Sequence, residues 1–171
     1  MTLSVVYALE TGHVVGALSS LGAPVAADAG PLVGPALPLR VAVGAGEPAM
    51  VSVPVRELAA HLPDDEPLVL TDPLAFGVEQ PPKPALVRLR TWTNALSFTD
   101  AGLSVTIPTF DQVNATHVVA FVTEGPDTRM TSGDIKAGET TVVLPIAVEN
   151  GAHGVLVLVS GWAGRLEAVT K

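Results

Sequence analysis

The run Gly154-Val155-Leu156-Val157-Leu158-Val159 decides how this chain folds. In an extended strand successive side chains point to opposite faces, so Val155, Val157 and Val159 share one face while Leu156 and Leu158 share the other. Both faces are apolar, and the β-branched residues between turn-forming neighbours select strand over helix. Val118-Val119-Ala120-Phe121-Val122 and Val142-Val143-Leu144 repeat the same property. One apolar face is enough to seat a strand on its core, so the second predicts cover from another chain or from the N-terminal part. The residues expected at such an interface are Leu156, Leu158, Trp162 and Val143.

Working outward, strands are predicted near 85–91, 95–98, 103–107, 117–123, 140–146, 153–159 and 165–169, with Gly, Pro, Asn or Asp between most of them. This rhythm resembles an immunoglobulin-like or fibronectin-type antiparallel sandwich. The resemblance is one of spacing: the chain has no cysteine pair, and Trp92 and Trp162 fall in no pattern that names a family.

The first half reads as a smaller β-rich module. Residues 3–9 and 13–18 form a predicted hairpin around Glu10-Thr11-Gly12, and 39–43 and 50–53 a second pair around Gly44-Ala45-Gly46-Glu47-Pro48. Between them residues 19–38 are a long Ala/Gly/Pro loop whose Leu21, Val25, Leu32, Val33 and Leu37 suggest packing. Pro54 followed by Val55, Leu58, Ala59 and Leu62 has helical spacing and predicts a two-turn helix over 55–61. Residues 68–71 read as a short strand. Gln80-Pro81-Pro82-Lys83-Pro84 lacks the donors of a central strand and reads as a stiff connector. The expected organisation is therefore mainly β with at most one or two short helices: an N-terminal module over 1–80, a connector at 81–84 and a C-terminal sandwich over 85–171.

Composition narrows the function classes. Of the 171 residues 48% are hydrophobic and only 15% charged, so the chain carries enough apolar surface for a sizeable core. Seventeen acidic against nine basic side chains give a net charge of −8, which repels phosphate backbones and anionic membranes. The imbalance is concentrated early, with nine acids and three bases over 1–84 against eight and six over 85–171. No cysteine means no disulfide, thiolate metal site or cysteine nucleophile. No basic n-region precedes an apolar stretch at the start, and the longest apolar run, 154–163, is about half of the ~20 residues of a membrane helix. A soluble protein is expected, cytoplasmic or part of a particle assembled in the cytoplasm.

Motifs for chemistry fail on context. Gly44-Ala45-Gly46-Glu47-Pro48-Ala49 fits G-x-G-x-x-A, but a strand pattern follows where a pyrophosphate-binding helix should begin. His13, His61, His117 and His153 lack metal-ligand spacing, and Asp64-Asp65-Glu66 reads as a solvated acidic loop rather than a calcium site. No nucleophile elbow is present, and Asn114-Ala115-Thr116 is a glycosylation sequon without a secretion signal to give it meaning. No cofactor, metal or catalytic residue is expected. The predicted function is a non-catalytic structural or docking subunit joining other proteins in a homo- or hetero-oligomeric assembly, with no nucleic acid and no membrane insertion. By architecture alone, a phage-tail-like or contractile injection particle (adaptor, cap, baseplate or fibre component) fits. The alternative is a carbohydrate- or ligand-binding sandwich using Trp92, Trp162 and Tyr7 as stacking platforms. Exposure of the two indoles separates these readings.

Overall fold

The computed structural model describes residues 2–22, 28–45, 47–63, 66–80 and 83–171. Pro24, Val25, Gly46, Asp64, Asp65, Pro81 and Pro82, which entered the reading above, lie outside the described residues. The strands are β1 (Thr2–Ala8), β2 (Val14–Ser20), β3 (Ala36–Val43), β4 (Glu47–Pro54), β5 (Leu58–His61), β6 (Phe76–Glu79) and β7 (Ala85–Arg88). They continue with β8 (Ser97–Thr99), β9 (Gly102–Thr106), β10 (Thr116–Glu124), β11 (Asp127–Ile135), β12 (Thr141–Leu144), β13 (Ala152–Val159) and β14 (Arg165–Thr170). Among the described residues helical structure is limited to α1 (Gly30–Val33) and short 3-10 turns, so the mainly β expectation holds.

The chain forms two compact units, each discontinuous in sequence. Unit 1 holds Met1–Leu37, Val53–Thr91 and Gly161–Gly164; unit 2 holds Pro38–Ser52, Trp92–Ser160 and Arg165–Lys171.

In unit 1, β1 is the centre of a sheet ordered β2-β1-β5, all antiparallel. The β1–β2 turn needs Gly12: its φ is +75°, and a Cβ there would stand 2.7 Å from the Val78 carbonyl oxygen. Leu3, Val5, Val14, Val69, Ala75, Phe76 and Val78 make the core, with Tyr7, Ala17 and Leu86 packed against it. β6 and β7 pair antiparallel, with Phe76 opposite Arg88.

Unit 2 is built from two antiparallel sheets, ordered β11-β10-β13-β14 and β12-β9-β8. They pack face to face. A Cβ on Gly133 of β11 would meet the side chains of Leu144 and Val142 on β12, and the Phe98 ring of β8 stands edge-on to His153 of β13 with centroids 5.5 Å apart. Val118, Ala120 and Val122 pair with Val159, Val157 and Val155, so the valine face of β13 lies towards the smaller sheet. The opposite face carries Gly154, Leu156 and Leu158. There a Cβ on Gly154 would come 2.5 Å from Val41 Cγ1 and 3.2 Å from Ala49 Cβ, which places the β3–β4 ribbon over this end of the leucine face. The Ser52 amide donates to Thr128 Oγ1 at 2.9 Å and ties the ribbon to β11.

Several sequence expectations need correction. The helix predicted over 55–61 is a single 3-10 turn, Val55–Glu57, followed by β5. Pairing with β1 satisfies the backbone there, and tertiary hydrogen bonding outweighs a four-residue helical spacing. The strand predicted at 68–71 is a 3-10 turn, Pro67–Leu70, opened by Glu66, whose carboxylate accepts from the Leu68 amide. The strands on either side of the predicted connector, β6 and β7, pair with each other within unit 1, and the chain passes between units after Leu37, Ser52, Thr91, Ser160 and Gly164. Residues 39–43 and 50–52, assigned to the N-terminal module, belong to unit 2. β11 was not foreseen at all.

Candidate functional site

The four residues expected at an interface have different fates. Leu156 and Leu158 are enclosed by their own chain at 0% exposure, and Trp162 is buried. Only Val143, 42% exposed, is open to solvent. The cover demanded by the doubly apolar run is supplied from within the chain, so an intermolecular role for the two leucines does not follow. The indoles are likewise shut: the Arg90 guanidinium lies 4.2 Å from the Trp162 ring in unit 1, and that of Arg165 lies 4.6 Å from the Trp92 ring in unit 2. Arg165 also makes a two-pronged pair with Glu167 at 2.9 and 2.7 Å and donates to the Asn94 carbonyl. Tyr7 is half-buried, with its hydroxyl accepting from Gln80.

Other large apolar side chains of unit 2 are exposed elsewhere, Met50, Phe110, Val113 and Met130. Residues 108–115 connect β9 to β10 and hold Phe110 and Val113 out in solvent, at 47% and 81% exposure. The loop has a fixed internal scaffold. Asp111 Oδ1 accepts from the amides of Val113 (2.7 Å) and Asn114 (3.0 Å), and Oδ2 accepts from the Asn114 side-chain amide at 3.3 Å. The Asp111 carbonyl accepts from Gly138, and the Ile107 amide donates to the Thr140 carbonyl, which fastens the start and the middle of the loop to the β11–β12 turn. These amides, Asn114 before Val113, hold the Asp111 carboxyl below its usual range. At the same end of the sheet His117 Nδ1 sits 2.7 Å from Asp134 Oδ1. Sequence reasoning passed over Phe110 and Val113. The available signal was an Asp with an Asn three residues on, which favours a side-chain-capped turn, with one large apolar residue before the Asp and another inside the turn.

Unit 1 carries a cavity of about 550 Å³ whose lining includes His61, Leu62, Glu66, Phe76, Lys83 and Arg88. Glu66 is occupied as the cap of the Pro67–Leu70 turn.

Two of the histidines, His13 and His153, serve structure. His13, fully buried, donates from Nε2 to the Trp162 carbonyl (2.7 Å), and its Nδ1 lies 2.8 Å from Thr11 Oγ1. His153 places its two ring nitrogens on the carbonyls of Thr123 and Glu149. Among the described residues no group of three or more His, Asp or Glu side chains could hold a metal ion. Gly44, at φ +65°, lies in a turn after β3, and the strand β4 begins at Glu47 where a pyrophosphate-binding helix would have to start. No described helix is long and apolar enough to cross a membrane. No protein-family model, curated protein or solved structure matches this chain.

Proposed function

We propose that the protein is a non-catalytic docking subunit of a larger protein assembly and that residues 108–115 of unit 2 form its contact. The supporting observation is the exposed apolar pair Phe110 and Val113 on a scaffolded loop: three hydrogen bonds from Val113 and Asn114 to the Asp111 carboxylate fix the turn that carries Val113, next to the exposed Phe110. A loop already ordered in its binding shape loses little conformational entropy on association, and apolar anchors supply the contact energy. Val143 adds apolar area on β12, the strand that runs on from the turn bonded to this loop. Covered indoles favour docking over sugar stacking, since a sugar ring needs an open aromatic face.

In this reading unit 2 is an immunoglobulin- or fibronectin-like sandwich, supported by the facing of its four- and three-stranded sheets. The partner is protein rather than nucleic acid, in keeping with the charge of −8. The assembly is homo- or hetero-oligomeric and cytoplasmic, and the injection-particle role stays with it as the architectural suggestion.

The test is the native mass of the particle purified from its source with wild-type protein or with Phe110→Ser/Val113→Ser. Both side chains are exposed, so the variant is expected to melt within about 0.5 kcal/mol of wild type. It should also leave the assembly. Full retention of the variant in a particle of unchanged mass would refute the docking loop.

A further inference from the structure

We infer that the unit 1 cavity is a binding site for a small amphipathic monoanion, a carboxylate carried on an apolar body. This inference is independent of the docking loop, which lies in unit 2. At about 550 Å³ the cavity has the size of small-molecule sites, roughly 300–1,000 Å³. Leu62, Leu68, Phe76 and Leu86 supply apolar wall. The charges decide the ligand class. Unit 1 has four cationic side chains, Arg56, Lys83, Arg88 and Arg90. Arg56 pairs with Glu57 at 3.0 Å, and Arg90 lies over Trp162. Lys83 and Arg88 have no hydrogen-bond or ion-pair partner among the described residues, and both line the cavity.

An unpaired guanidinium beside apolar wall is the arrangement that captures a carboxylate, because its planar fork matches two carboxylate oxygens while the ligand body leaves water. Lys83 adds a mobile point charge. Glu66, on the same lining, penalises a second negative charge and selects a monoanion over a phosphate dianion. Its carboxylate is engaged with the Leu68 amide at 3.3 Å and so stays in place as that filter.

The experiment titrates isotopically labelled full-length protein with 4-phenylbutyrate, followed by amide shifts. Expected are saturable shifts at Leu68, Phe76, Leu86 and Arg88. Loss of one charge-assisted contact corresponds to about tenfold in affinity, so 4-phenyl-1-butanol, Arg88→Gln and Lys83→Gln should each weaken binding by that factor. If either variant melts below wild type, raising salt from about 50 to about 500 mM on the wild type reads the same electrostatic term and should weaken the acid but not the alcohol. No saturable shift by ~10 mM ligand, at the weak edge of measurable affinity, would overturn the inference. So would equal affinity for acid and alcohol, or saturation of the same amides by inorganic phosphate or calcium alone.

Discussion

Replacing Gly154 by Ala tests whether the β3–β4 ribbon closes the leucine face of β13. Gly154 sits in strand interior with no positive φ, and its amide donates to Thr123 Oγ1 at 2.8 Å. Backbone propensity alone therefore favours Ala by about 0.5–1 kcal/mol. Packing opposes it. The new methyl would stand 2.5 Å from Val41 Cγ1 and 3.2 Å from Ala49 Cβ, well inside the ~3.5–4.0 Å of a carbon contact. Val41 is β-branched and buried, and Ala49 has no rotamer to change, so the ribbon must shift. Overpacking of this kind costs about 1–3 kcal/mol, which leaves a net loss of about 1–2 kcal/mol. In urea unfolding this appears as a lower midpoint at unchanged slope. Val41→Ala removes the nearer clash, so the double variant should recover about 1 kcal/mol relative to the sum of the singles, beyond the ~0.5 kcal/mol scatter of independent sites. Wild-type stability for Gly154→Ala, or strict additivity with Val41→Ala, would refute the ribbon as the cover.

Two further outcomes follow from the same structure. Leu158→Ala should cost about 2–5 kcal/mol in chemical unfolding, because the side chain is fully enclosed opposite Val119, whereas a mutant that folds normally but dissociates would return Leu158 to an interface. The order of the 108–115 loop should depend on pH through Asp111. Its folded carboxyl is depressed below the ordinary value of 3.8, so the contribution is complete above that value and is lost as pH falls through the depressed one. Amide shifts of Val113 and Asn114 that stay flat through the carboxylate titration would contradict this.

Strand identity was legible locally because valine runs bounded by Gly, Pro and Asn carry their own periodicity. The β1–β2 and β3–β4 pairs, β9, β10, β12, β13 and β14 were all visible in that way. β11 was not: its nine residues include Asp127, Arg129, Ser132 and Asp134, and it is an edge strand held by pairing with β10 rather than by an apolar face of its own. Val55, Leu58, Ala59 and Leu62 fit a helix in isolation, and only the hydrogen bonds offered by β1 draw residues 58–61 into a strand. The candidate sites were less legible than the strands. Phe110 and Val113 read as ordinary loop residues until the structure shows both exposed beside a turn fixed by Asp111. Lys83 and Arg88 come to line one cavity with Phe76 only once β7 pairs with β6. The sequence by itself determined that both faces of 155–159 must be covered, since alternating side chains in a strand leave no other place for five apolar groups. Which segment covers them was decided by tertiary structure. Residues 38–52 leave their sequence neighbours to join unit 2, and a contact between Val41 and Gly154, more than a hundred residues apart, depends on surface complementarity that no local pattern encodes.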